Sequence, residues 1–187
     1  MNATKTALLD SAEHAARTRG IDGFSFADLA LDVGIRKPSI HYHFATKDAL
    51  TLALMQRYHV NMAVTCADID RAQTTGGARI AALVGVYREA LDGGKSLCLC
   101  VALSASRESL PAAVITQIGH YRQMVIAWLA EAFAAGQSDG SIMDLRDPLD
   151  EAAATLSLLE GAQLGARAAQ DVAVFDAATR LLLARVS

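Results

Sequence analysis

Apolar residues recur along this chain at spacings of three and four, in runs broken by glycine or proline, which is the periodicity of amphipathic helices. Residues 3–19 put Leu9, Ala12 and Ala16 on one side and stop at Gly20 and Gly23. Phe26, Leu29, Ala30 and Val33 make a short second stripe. A long helix is expected from about Lys47 to Arg71, carrying Leu50, Leu54 and Tyr58, with Gly76 and Gly77 closing it. Ile80, Leu83, Val84, Tyr87 and Leu91 predict another, ending at Gly93 and Gly94. A helix over 96–109 should stop near Pro111, and Val114, Ile118, Tyr121, Val125, Trp128 and Ala132 form the strongest stripe of all. Residues 136–147 read as a polar loop, followed by a helix from Asp150 to Ala169 and a last one bearing Leu181, Leu182 and Val186. No run alternates with period two, so the fold class expected is all-α.

Residues 25–44 carry the most specific local signals. Ser25 stands at the N-cap of the second stripe with Asp28 three residues on, the spacing of a capping box. Gly34 follows the last apolar position, where positive φ lets the chain reverse without a Cβ clash, and Ile35 plugs the turn. Pro38 lies in the first turn of the next helix, where its missing N–H costs nothing. Ile40 and Phe44, four apart, point inward. Pro38, Ser39, His41 and Tyr42 then lie on the outward arc, with Arg36 and Lys37 at the helix start. A short helix that follows a turn and shows cations, hydroxyls and an imidazole to solvent is laid out as a recognition helix for a DNA groove.

The segment G-F-S-F-A-D-L-A-L-D-V-G-I-R-K-P-S-I-H-Y-H-F-A-T-K-D-A-L, residues 23–50, resembles the TetR family of bacterial transcriptional regulators. The turn glycine, the H-F pair ending the recognition helix and the lysine three residues after Phe44 carry the resemblance. The chain departs from the family where His41 replaces a usual tyrosine and Arg36 a small capping residue. The resemblance implies a helix-turn-helix DNA-binding domain over residues 1–46, joined by the long helix to a ligand-binding and dimerisation domain over 47–187. Ser25, Arg36, Lys37, Pro38, Ser39, His41, Tyr42, His43 and Lys47 are the DNA-contact candidates. A homodimer built from the last two helices is implied, and geometry agrees: one short recognition helix covers little DNA, whereas a two-fold dimer matches a palindromic operator. Gly161 and Gly165, with Ala162, Ala166 and Ala169 beside them, would let a helix approach closely.

Hydroxyls, a guanidinium, an indole and a thiol enter otherwise apolar helices at Tyr58, Met62, Tyr87, Cys100, Tyr121, Arg122 and Trp128, the mixture expected around a small-molecule effector. The function expected is a repressor released from its operator by such a ligand. The alternatives are a thiol sensor of oxidants or electrophiles on the same scaffold, or a helical enzyme or carrier.

Composition narrows these alternatives. The 187 residues are 52% hydrophobic with 3 prolines, enough to bury roughly 70% of the unfolded surface. The formal net charge of −3 would argue against nucleic acid, but residues 1–61 hold seven Lys or Arg against six Asp or Glu while the remainder hold ten against fourteen. This modest asymmetry favours the first third as the DNA-facing part, although the charge count alone does not make the case. No apolar run reaches membrane-spanning length and Asp10 and Glu13 interrupt any signal-peptide core, so a cytoplasmic protein without membrane partners is expected. Cys66, Cys98 and Cys100 read as small buried residues, with Cys98 or Cys100 beside Lys95 as the sensor alternative. No catalytic serine motif, phosphate loop or zinc signature supports an enzyme, and neither a cofactor nor a metal is expected.

Overall fold

The computed structural model describes residues 3–144 and 146–186, so Met1, Asn2, Leu145 and Ser187 lie outside the described residues. The fold is all-α, with nine α-helices among the described residues: α1 (Ala3–Arg19), α2 (Phe26–Val33), α3 (Lys37–His43), α4 (Lys47–Ala72), α5 (Gly76–Glu89), α6 (Leu99–Ser104), α7 (Ala112–Asp139), α8 (Pro148–Ala169) and α9 (Val172–Leu183). Short 3-10 turns occupy Ile21–Gly23 and Arg107–Ser109. Extended pairing among the described residues is a single bridge between Ile142 and Val186. None of the described helices is long and apolar enough to cross a membrane.

Two compact units form. One takes the chain up to Val60 together with Leu99–His120; the other takes Asn61–Cys98 and the chain from Tyr121 onward. Helices α4 and α7 each contribute to both. In the first unit α2 and α6 pack on α1, and Leu8, Ile40, Leu50, Leu54 and Met55 are fully buried. In the second, α5, α8 and α9 pack together around Tyr87, Tyr121, Phe133 and Phe175. Burying each such side chain contributes about 1.5–3 kcal/mol, which is why amphipathic stripes rather than helix propensity hold both units.

Four expectations are corrected by packing. Gly76 and Gly77 do not close α4; they open α5 behind the N-cap Thr75, and their N–H groups donate to Asp139 Oδ2 and Ser141 Oγ, both at 2.8 Å. A Cβ on Gly76 would lie 2.1 Å from the backbone nitrogen of Gly136, so only glycine allows that approach. Gly136 likewise does not start a loop. It sits inside α7, which runs to Asp139, and a Cβ there would lie 2.3 Å from the Ile142 side chain.

The helix expected over 96–109 shrinks to Leu99–Ser104. The N–H of Cys98 is taken by the Gln163 side chain at 2.9 Å rather than by a helical carbonyl, and the Ser96 hydroxyl donates to the Ala90 carbonyl at 2.6 Å. In the last helices, Leu182, Ala162 and Ala166 are buried in the chain's own core and Val186 is half-buried, while Gly161 and Leu181 face outward.

Candidate nucleic-acid interface

The turn between α2 and α3 is built as its residues dictate. Ser25 Oγ accepts from the Asp28 N–H, and the Asp28 carboxylate accepts from the Ser25 N–H at 2.7 Å and the Ser25 hydroxyl at 2.8 Å. These bonds to the ionised form, the hydroxyl first, hold the Asp28 carboxyl below its ordinary value. The Ser25 hydroxyl is therefore already committed to capping α2. Gly34 takes φ 71°, and the Ile35 N–H returns to the Ala30 carbonyl at 2.9 Å.

Helix α3 is anchored by Ile40, fully buried, and by Phe44 at its C-cap. Arg36 stands at the N-cap without a side-chain capping bond. Lys37, Pro38, Ser39, His41 and Tyr42 are all exposed, Tyr42 at 85%. A tyrosine ring left that far in water costs apolar hydration, and the neighbouring His43 ring covers little of it. His43 is half-buried, its ring edge-on to Tyr42 at 5.1 Å. The structure thus brings Arg36, Lys37, Pro38, Ser39, His41 and Tyr42 onto one outward arc.

Lys47 has a partner that the sequence did not indicate. Its ammonium donates to the Phe24 carbonyl at 2.6 Å and sits 4.5 Å from the centre of the Phe24 ring. This ties the start of α4 to the loop entering α2. Lys5, on α1, lies 5.5 Å from the Phe44 ring centre at the end of α3. Further along α4, Arg57 forks onto α1, donating to Asp10 and Glu13 at 2.6 Å each while its Nε meets no acceptor. Pairs 23, 44 and 47 residues apart leave no periodic signal in a sequence.

The effector candidates divide between the units, with Tyr58 and Cys100 in the first and Met62, Tyr87, Tyr121, Arg122 and Trp128 in the second. The structure brings Tyr87 and Tyr121 together, both buried, with hydroxyls 3.4 Å apart. Gln163, fully buried, donates to the Tyr87 carbonyl at 2.7 Å beside them. Arg122 is half-exposed and pairs with Glu160, so its anionic partner belongs to the chain. Trp128 donates to Asp70 at 2.9 Å, and the same carboxylate lies 3.4 Å from Arg79. A groove of about 290 Å³ lies between α1 and α2, lined by His14, Arg19, Asp28 and Leu31 among others, and one of about 270 Å³ lies between α8 and α9. Neither contains any of the seven candidates.

All three cysteines are buried. Burial first, and then Asp70, push the Cys66 thiol up to about 12, so it stays protonated at neutral pH. Cys98 precedes α6 rather than sharing a helix with Cys100, and Lys95 is exposed to solvent. Among the described residues no three His, Cys, Asp or Glu side chains come together as a metal set.

A family profile described as bacterial regulatory proteins, tetR family, matches residues 8–54, which span most of α1 through the first turns of α4. A TetR-family transcriptional regulator from Agrobacterium tumefaciens superposes with a TM-score of 0.92 at 26% identity, covering 99% of this chain and 98% of its own. Residues 8–54 thus match the tetR family of bacterial regulatory proteins, and the whole chain shares the fold of a TetR-family regulator. It is also 25% identical over 169 residues, 88% of this chain and 84% of the relative, to the HTH-type transcriptional repressor NemR of Escherichia coli strain K12. The reduced form of Escherichia coli NemR shares the fold at a TM-score of 0.84 and 22% identity, covering 98% of this chain and 97% of its own.

Proposed function

We propose that this chain is a transcriptional repressor that binds a palindromic DNA operator as a homodimer and is released by a small-molecule effector. The outward arc of α3 carries the proposal. Arg36, Lys37, Ser39, His41 and Tyr42 stand exposed on a helix fixed from below by Ile40 and Phe44. Residues 1–46 then read DNA, with Pro38 and Ser39 close against the groove and His43 and Lys47 on the backbone, while residues 47–187 hold the effector and the partner. The NemR relative, described as a repressor, supports the direction of control.

The dimer is supported by apolar surface that a lone chain leaves wet. On α8 the exposed positions Leu149, Ala153, Ser157, Gly161, Leu164 and Ala168 follow helical spacing, and on α9 and its C-cap so do Val174, Ala178, Leu181 and Ala184. Two packed helices with uncharged outward stripes make a contiguous patch of the kind that marks an interface. A Cβ on Gly161 would meet nothing within the chain, which leaves that position open for a partner helix.

Effector control requires tighter binding to the DNA-free form than to the DNA-bound form, since equal affinity shifts nothing. Tyr87, Tyr121 and Gln163 supply polar groups inside the second unit that such a ligand could engage. The buried thiols are better suited to packing than to oxidant sensing.

The test is titration of the purified chain onto the promoter region of its own operon across a salt series. Tight binding that weakens steeply with salt, and far weaker binding to a scrambled duplex, is expected. Equal affinity for both duplexes would overturn the reading.

A further inference from the structure

The imidazole of His41 is oriented by two neighbours. Its Nδ1 lies 3.3 Å from the carbonyl oxygen of Ala45, and its ring meets Phe26 edge-on, centres 5.2 Å apart and planes at 65°. A carbonyl oxygen has lone pairs and no hydrogen, so the nitrogen facing it carries the N–H. In a neutral imidazole the other nitrogen then bears the bare lone pair. Nε2 is thus an acceptor, on an exposed ring of α3. The groups around it differ in kind: Arg36 and Lys37 only donate, and the hydroxyls of Ser39 and Tyr42 can do either. His41 supplies the one acceptor-only atom on this arc.

The major groove offers donors in only two places, the 4-amino group of cytosine and the 6-amino group of adenine. Guanine and thymine show acceptors there. We infer that His41 is a specificity-determining residue that accepts, through Nε2, a hydrogen bond from the exocyclic amino group of one cytosine or adenine in each operator half-site. This rests on α3 being the recognition helix. It goes further by naming the chemical group read and the atom that reads it. The contact of Nδ1 with Ala45 makes the choice, because the opposite tautomer would turn Nε2 into a donor and redirect the residue to guanine or to phosphate.

The test starts from an operator recovered by selection from random duplexes with the full-length chain. Each cytosine is replaced in turn by an analogue lacking the 4-amino group, and each adenine by unsubstituted purine, which lacks the 6-amino group. The parent chain should lose about tenfold or more at one position per half-site, and which analogue does so tells cytosine from adenine. His41→Ala should be weaker on the unmodified operator and lose nothing further with that analogue. His41→Gln, whose amide oxygen accepts, should regain the sensitivity. A His41 that merely supports Phe26 and Ala45 would weaken every duplex and leave all analogue penalties in place, which overturns the inference. So would loss, in His41→Ala, of sensitivity to 7-deazaguanine, which removes an acceptor and would mean that the ring donates. If the parent chain selects no sequence at all, the DNA-reading function falls first and this inference with it.

Discussion

The ammonium of Lys47 and the carbonyl of Phe24 are 2.6 Å apart, with the lysine also over the Phe24 ring at 4.5 Å. One residue therefore joins the start of α4 to the entry of α2. An ammonium has three N–H donors, so two remain for a phosphate. Replacing Lys47 with alanine should make the slope of log affinity against log salt shallower by about two per dimer and weaken all DNA sequences alike. It should also lower stability by about 1–2 kcal/mol, from the lost charged hydrogen bond and ring contact. Anisotropy titrations over a salt series and chemical denaturation read the two effects separately. An unchanged slope would leave Lys47 with a structural role alone.

Lys37 should act on base preference rather than on the backbone. It is exposed at the start of α3, where recognition-helix residues reach base edges. Exchange for alanine should change the ranking of operator variants by about 1–3 kcal/mol at one base pair per half-site. A profile that scales down evenly across all variants would assign Lys37 to phosphate.

Arg57 binds two carboxylates of α1 from α4, and both it and Glu13 keep less than a fifth of their side-chain surface exposed, 16% and 17%. Arg57→Met should destabilise the chain by about 1–3 kcal/mol, more than an exposed pair would, since Glu13 is left half-buried with only the longer 3.8 Å contact to Arg17. Adding Glu13→Gln should recover part of the loss. Thermal denaturation of the single and double variants decides it, and additive losses would refute the pairing.

Leu181 is 80% exposed and Leu182 beside it is buried, so only the first can be changed without disturbing the fold. Leu181→Glu should leave the helical circular dichroism intact and shift sedimentation from dimer to monomer. Operator affinity should fall with it. A dimer that persists at micromolar concentration would move the interface elsewhere.

Acid should unfold the protein through its paired carboxylates. Hydrogen bonding from Arg185 holds Glu151 below its ordinary 4.5, and Ser141 with the Gly76 N–H holds Asp139 below its ordinary 3.8. A depressed folded-state value gives stability that is fully present above the ordinary value and is lost as pH falls through the depressed one. The melting temperature should therefore hold steady from neutral pH down to about 5 and drop below about 4. Glu151→Gln should be less stable at neutral pH and show a smaller acid-induced drop. A parallel drop in variant and parent would exclude Glu151 as a source.

The helix-turn-helix was legible because its instructions are local. A capping box acts over three residues, a left-handed glycine over one, and the Ile40 and Phe44 anchors over four, so each leaves a pattern a linear chain can carry. The exposed arc of α3 followed from those anchors. The effector candidates were legible only as residue types: polar groups within apolar stripes show that something polar is buried there, not what satisfies it.

What remained depended on residues far apart in the chain. Gly76 and Gly136 look like helix terminators until α5 and α7 meet and a Cβ has no room. Arg122 looks like an anion receptor until Glu160 arrives from α8. Helical periodicity could not say that Leu181 faces outward and Leu182 inward, because both lie near the edge of the same stripe and only the packing of α9 on α8 and α5 separates them. The sequence alone determined most of the elements and the outward layout of α3, through contacts within one or two turns of backbone. The tertiary structure decided which polar groups are already spent on partners and which remain free to bind, since a hydrogen bond between distant residues exists only once the intervening chain has folded.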